Sequence, residues 1–402
     1  MNITGIITEY NPFHNGHLYH LNTAKNSTKC DGIVCIMSGN FVQRGEPALI
    51  DKWKRAEMAL LNGVDLVIEL PTFYSLSSAE FFASGAIKIL NNIGVVKNIF
   101  FGSESGNIEL LYKIAKLLTL ESDILQYNIK ENLKTGVTYA KARELALINI
   151  LNDDSLKEVL SNSNNILGIE YIKALLKINS NISALTMKRE GSNYNDKDLN
   201  TIFSSATSIR ENLKNGNNLS SLKPYIPKAS LDILNNLMEN NYPFIFEKEM
   251  YEYIKYKLLT NCINFNNLFE AKEGLDNKFL KEIYFSSSYE DLIFRVKSKR
   301  YTYTKISRLM SQIFLSLDNY SFNELIKDEN LYARVLGFNN TGKLILKEMK
   351  KNSTIPIITK VPKHINNSLL SLDIQATKAY SILNPKVNPL SDYFISPIIK
   401  KY

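Results

Sequence analysis

The chain has 402 residues, 45% hydrophobic and 22% charged, with Gly 17 and Pro 11; this excludes collagen-like, low-complexity and broadly disordered classes and fits two or three domains. No run has the apolar length of a membrane span, the start MNITGIITEY lacks a basic n-region, and three cysteines (Cys30, Cys35, Cys262) suit a reducing compartment, so a cytoplasmic protein with no membrane partner is expected. The net charge of +8 is uneven: residues 1–215 hold 22 basic and 22 acidic residues and residues 216–402 hold 26 and 18, the balance of a catalytic unit joined to a part that meets a polyanion.

Ile3–Thr8 is a short β-branched run, followed by a turn at Asn11-Pro12 and a helix-compatible stretch from Gly16 to Lys25. Gly32–Met37 reads as a second strand, with Cys35 buried in it, and Asp51 as the N-cap of a helix closed by Asn62-Gly63. Val64–Leu70 and Val96–Phe101 read as further strands, with a helix over 77–92 between them. Residues 107–177 are mostly helical, broken at 161–168; Asn181–Met187 is a fifth strand and Ser204–Leu213 a helix. Short buried strands alternating with helices predict an α/β, Rossmann-like, doubly wound parallel sheet. The Asn/Gly/Ser-rich loop 215–221 is the expected boundary between a catalytic domain, 1–215, and a mainly helical basic region, 216–402. The tail from 355 mixes apolar runs with prolines and fits either element type.

Three of the four histidines, His14, His17 and His20, lie in EYNPFHNGHLYH, directly after the first strand. Ligands of open parallel sheets collect there, outside the C-terminal strand ends. A helix N-terminus at that place offers N–H groups to a phosphate, Gly16 allows close approach, and two imidazoles add donors for the charge of a transferring phosphoryl group. A zinc site is the weaker alternative, since a further ligand and closed geometry are missing from the spacing. His20, taken alone, reads as structural. Ser205-Ala206-Thr207-Ser208-Ile209-Arg210 offers hydroxyls at a helix start and an arginine one turn on, suited to β/γ-phosphates or to a simple N-cap.

His14-Asn15-Gly16-His17 resembles the H-x-G-H signature of the nucleotidyltransferase superfamily. The strings GIITEYNPFHNGHLYH (5–20), MSGNFVQRGEPA (37–48), GVDLVIELP (63–71), FFGSE (100–104), NNILGIEY (164–171), SSATSIR (204–210) and KRYTYTKISRLM (299–310) resemble, in that order, the bacterial tRNA(Met) cytidine acetate ligase family. The resemblance implies an enzyme that activates acetate with ATP, releasing pyrophosphate, and transfers acetyl from acetyl-adenylate to N4 of the wobble cytidine of elongator tRNA(Met). It implies an ATP site over Ile7, Thr8, Glu9, Tyr10, Asn11, Pro12, Phe13, His14, Asn15, Gly16, His17, Leu18, Tyr19 and His20, with His14 and His17 catalytic. Gly102, Asn165 and Arg189 are implied as nucleotide contacts, and Ser205, Thr207, Ser208 and Arg210 as phosphate contacts. Mg²⁺ is expected to accompany ATP, and no carboxylate cluster announces a dedicated metal cage. An alternative is a small-molecule adenylyltransferase of the same superfamily, which leaves the long basic second part without a purpose.

The loop 38–47 comes after the second strand; Gln43 and Arg44 there suit a carboxylate or a phosphate, and the loop is expected near acetate or the incoming cytidine. Residues 295–308 carry six basic side chains and no acid, with Tyr301 and Tyr303 interleaved, so Lys297, Lys299, Arg300, Lys305 and Arg308 are the expected tRNA contacts. Lys52, Trp53, Lys54 and Arg55 form a second basic stretch that could face RNA.

Overall fold

Period-two alternation puts neighbouring residues of a strand on opposite faces of a sheet, and the strands here use both. In Gly32–Ser38, Val34 and Ile36 enter one buried cluster while Ile33, Cys35 and Met37 enter another. The sheet is therefore covered on both sides. The computed structural model describes residues 1–402 except 121, 138, 154–155, 190–202, 269, 272–273, 299–300 and 402. Its strands are β1 Ile3–Thr8, β2 Gly32–Ser38, β3 Phe41–Val42, β4 Glu46–Pro47, β5 Leu66–Leu70, β6 Val96–Ser103, β7 Ser183–Lys188, β8 Ala333–Phe338, β9 Ile357–Ile358 and β10 Ile398–Ile399.

Eight of these make one sheet in the order β10-β8-β5-β2-β1-β6-β7, with β9 also on β8; β3 and β4 form a separate hairpin. β5, β2, β1, β6 and β7 run parallel, and the winding reverses between β1 and β6. The five expected parallel strands are all present, with boundaries shifted by up to two residues. β8, in a stretch expected to be helical, joins β5 antiparallel, Leu66 opposite Phe338. The second part of the chain therefore returns to the sheet of the first across the loop at 215–221.

Helices α1 Asn15–Thr28, α2 Lys52–Leu61, α3 Ser163–Lys177, α4 Ala206–Lys214, α5 Tyr289–Val296 and α6 Tyr303–Phe314 place the residues of interest. The break expected at 161–168 is shorter than that: α3 begins at Ser163, so Asn164 and Asn165 lie inside its first turn. Asp51 caps α2 as expected, accepting from Trp53 N and Lys54 N. An RNA-facing role for Lys52, Trp53 and Arg55 does not hold, because Lys52 and Arg55 are fully buried and Trp53 nearly so; of the four, Lys54 is the one partly exposed. Lys52 Nζ is 2.7 Å from Glu69 Oε1 and 2.9 Å from Asp392 Oδ1. Arg55 donates to the carbonyls of Glu9, Gly39 and Ile50. No helix among the described residues is long and apolar enough to cross a membrane.

Candidate active site

A cavity of about 650 Å³ opens at the C-terminal ends of β1, β6 and β7, at the reversal of winding. Its walls carry Ile7, Thr8, Glu9, Tyr10, Asn11, Gly16, Tyr19 and all three histidines of the cluster. Gly102, Arg189, Ser205, Thr207 and Arg210 complete the part of the wall expected from sequence.

His14 is the N-cap of α1: its Nδ1 accepts from Gly16 N at 3.1 Å, while His17 Nδ1 accepts from His14 N at 3.3 Å. A neutral imidazole that accepts on Nδ1 carries its proton on Nε2. Both rings, 3.7 Å apart between centroids, therefore keep an Nε2–H donor beyond the cap. Burial and then the Arg189 charge bring His14 down to about 3. Burial, His14 and Arg189 hold His17 well below the ordinary range. His20, lowered to about 4 by burial and Arg189, stacks 5.5 Å from Phe100 and has a buried Nε2 without a hydrogen-bond partner. At neutral pH the cluster is a set of neutral imidazoles.

The expected phosphate cradle of α1 backbone N–H groups is not what the structure holds. Asn15 N donates to Tyr225 O at 2.9 Å and Gly16 N to His14, so these donors are already used. Gly16 serves His14 instead: a Cβ there would stand 2.9 Å from His14 Cε1. Across the cavity stands the N-terminus of α4. Ser205 Oγ caps it by accepting from Ser208 N at 3.1 Å, and Ala206 and Thr207 lie on the wall at the turn whose N–H groups lack helical partners.

Some expected contacts point elsewhere. Pro12, Phe13, Asn15 and Leu18 are off the wall; Phe13 is buried 4.5 Å from the Tyr10 ring, and the Asn15 side chain donates to Pro224 O. Ser208 is fully buried, its hydroxyl donating to Ser205 O. Asn165 is buried as well, its amide used on Ser105 N and Val159 O, and Asn164 is the asparagine on the wall.

Sequence reasoning missed most of the far end of the cavity, where Lys214, Phe246, Glu247 and Glu290 stand beside Glu46 of the loop 38–47 and Tyr303 of the basic segment. Arg210 joins the two ends. It donates to Asn11 Oδ1 at 3.3 Å, lies 3.3 Å from Glu46 Oε2 and 3.7 Å from Glu247 Oε2, and sits over the Phe246 ring. Lys214 Nζ is 2.6 Å from Glu247. Burial raises the carboxyls of Glu9 and Glu46 against the pull of Gln43 N–H and Arg210 respectively. No local motif marks Phe246, Glu247 or Glu290, which reach the site only through tertiary packing. The loop 38–47 borders the cavity as expected: Gln43 and Arg44 line it, and Gln43 N donates to Glu9 Oε1 at 2.7 Å. Among the described residues, no group of three or more His, Cys, Asp or Glu is placed to hold a metal ion.

The family model described as HIGH Nucleotidyl Transferase matches residues 1–392. The tRNA(Met) cytidine acetate ligases of Clostridium novyi (strain NT) and Clostridium tetani (strain Massachusetts / E88) are 53% and 50% identical to this chain, over the full length of both partners. The chain belongs to the tRNA(Met) cytidine acetate ligase family. Two crystal structures of Thermotoga maritima TmcAL share the fold of this family member over the whole of each chain. The apo form has a TM-score of 0.91 at 35% identity, and the form bound with alpha-thio ATP has 0.88 at 36%.

On the basic segment, Lys297 is exposed and Lys305 half-buried, its Nζ 5.5 Å from the Tyr301 ring. Arg308 departs from expectation: it is buried, with Nε 2.9 Å from Glu270 Oε1. Tyr301 is buried and Tyr303 lines the cavity. Lys299 and Arg300 lie outside the described residues.

Proposed function

We propose that this chain joins acetate to ATP, forming acetyl-adenylate, and transfers the acetyl group to N4 of the wobble cytidine of elongator tRNA(Met). The observation that carries the reading is the close His14–His17 pair, two neutral imidazoles with Nε2–H donors left over, on one cavity with the N-terminus of α4. An acetate oxygen attacks the α-phosphorus, the bond to the β-phosphate oxygen breaks, and pyrophosphate leaves. His14 and His17 donate to oxygens that gain charge in that step, and Ser205, Thr207 and Arg210 hold the β- and γ-phosphates. Gly102 and Arg189 meet the nucleoside end. Mg²⁺ would accompany ATP and neutralise charge on its phosphates. In the second step, N4 attacks the acetyl carbonyl, the bond to the adenylate oxygen breaks, N4 loses a proton and AMP leaves.

The tRNA surface in this reading is Lys297, Lys299, Arg300 and Lys305, without Arg308, whose charge is taken by Glu270. Phe294, 80% exposed on α5 beside Arg295, supplies an aromatic face next to it. Activation then takes place in the cavity at the sheet edge, to which Phe246, Glu247, Glu290 and Tyr303 of the second part also contribute, and the basic part beyond residue 215 carries tRNA in the cytoplasm. Acetate-dependent exchange of pyrophosphate into ATP tests the first step, and mass spectrometry of tRNA nucleosides from a strain lacking the chain tests the second. Exchange that ignores acetate but responds to a phosphopantetheine or mononucleotide acceptor would favour the small-molecule adenylyltransferase reading. Replacing Lys297, Lys299, Arg300 and Lys305 by Ala is expected to weaken tRNA binding and flatten its salt dependence, by roughly one unit of slope or less per lost phosphate contact. Unchanged binding across a salt titration would place the RNA surface elsewhere.

A further inference from the structure

Glu104 comes directly after β6 and is not on the cavity wall, yet its carboxylate sits at the centre of a set of directed bonds. One oxygen accepts from Asn164 N at 3.2 Å and Asn164 Nδ2 at 2.7 Å, and the other accepts from Asn165 N at 2.8 Å. A carboxylate in this state only accepts, and a guanidinium only donates. The Asn164 amide stands between the two kinds of group, with Nδ2 on Glu104 and Oδ1 3.4 Å from Arg189 Nη1. Turning that amide over would set its NH₂ against the guanidinium and its oxygen against the carboxylate. Glu104 therefore dictates which face Asn164 shows to Arg189.

The rest of Arg189 is held from the same loop. Its backbone N donates to Ser103 O at 2.9 Å, and its stem lies on Gly102, where a Cβ would stand 3.0 Å from Arg189 Cγ. Gly106, at φ +63°, lets the loop close on the neighbouring Lys188, which a Cβ would meet at 2.7 Å. Backbone and stem are thus placed by β6 and its loop, while the charged end depends on the Asn164 amide alone among the bonds described. An exposed arginine free of that amide samples many rotamers and loses entropy when it meets a ligand.

We infer that Glu104 is a positioning residue for nucleotide binding, acting through Asn164 to orient the Arg189 guanidinium on the cavity wall. The inference rests on the reading of Arg189 as a nucleotide contact. The test is the affinity of the full-length protein for ATP, measured by calorimetry in a double-mutant cycle. Glu104→Gln keeps the shape but loses an acceptor oxygen and the charge. Asn164→Ala keeps the backbone bonds to Glu104 and removes the side-chain amide that joins the carboxylate to Arg189. Each is expected to weaken ATP binding by about 5–10-fold, the scale of one oriented hydrogen bond. In an Arg189→Ala background the same changes should each add less than about twofold. A Glu104→Gln loss of the same size with and without Arg189 would mean that the carboxylate only anchors α3, and the inference falls. Unchanged affinity in both single variants overturns it too. Arg189→Ala that binds ATP like the wild type removes the nucleotide reading of Arg189 itself, and a wild-type protein that binds no ATP removes the whole functional reading.

Discussion

Two imidazoles at one helix start do different work from two histidines on a surface. Each spends Nδ1 on a backbone N–H, so the cap that begins α1 also sets the tautomer that faces the cavity. His17→Ala is expected to leave the fold intact and lower acetate-dependent pyrophosphate exchange by about 10²–10³, the loss typical of one charge-stabilising donor. Near-normal exchange by the folded variant would remove His17 from the chemistry. The same burial makes a pH prediction. Unfolded histidine titrates near 6.5, whereas His14 is held near 3 and His20 near 4, with His17 lowered as well. Between those values the unfolded chain binds more protons than the native one. Stability contributed by these groups is therefore complete above about pH 6.5 and lost as pH falls toward 3 to 4. Urea unfolding from pH 7 to 4 should show a shallower decline for the His14→Gln, His20→Gln double variant. A decline as steep as the wild type's would mean that other groups carry it.

At the scale of elements, the hairpin β3–β4 couples the cavity to the second part of the chain. Its turn residue Gly45 has φ +80°, and its carbonyl accepts from Ser307 Oγ and Ser311 Oγ of α6, both at 2.8 Å. A Cβ on Gly45 would stand 2.2 Å from Arg308 N, inside the helix backbone. Gly45→Ala is expected to destabilise by roughly 1–2 kcal/mol for the left-handed backbone and a further 1–3 kcal/mol for overpacking. Because Gln43, Arg44 and Glu46 ride on the same hairpin, activity should fall with stability. A melting temperature equal to the wild type's would show that the hairpin does not seat on α6 as described. The elements themselves were largely legible: strands β1, β2, β5, β6 and β7 and the capped starts of α2 and α4 follow from apolar runs and Asp or Ser caps. The start of α3 was not, because Asn164-Asn165 reads as a loop until Glu104, sixty residues away, takes up their N–H groups.

Across the whole molecule, the two parts are joined by buried charge. Lys52 of α2 and Glu69 of β5 meet Arg334 of β8 and Asp392 near the C-terminus, with Asp392 Oδ1 at 2.9 Å from Lys52 and 2.7 Å from Arg334 Nη1. Burial would raise the Asp392 carboxyl, but Lys52 and Arg334 outweigh it and hold it below its usual value. Asp392→Asn leaves two buried cations with Glu69 as their one remaining ion-pair partner among the described residues and is expected to cost about 3–5 kcal/mol, read as a shifted urea midpoint. An unshifted midpoint would mean that water relieves the network. A fragment ending at residue 215 should aggregate for the same reason: it exposes the edge of β5 that β8 covers and strands the Lys52–Glu69 pair.

The sequence by itself determined the parallel sheet, the place of the site at its C-terminal edge and the histidine pair, because strands, caps and the H-x-G-H spacing are written locally. Tertiary structure alone decided the rest. It brought β8 back to β5 and carried Phe246, Glu247, Glu290 and Tyr303 into the cavity. It also buried Lys52, Arg55 and Arg308, which sequence reads as surface cations. A charge run shows how many cations a segment has. Whether a given one meets solvent depends on which carboxylate, from which distant element, the fold sets against it.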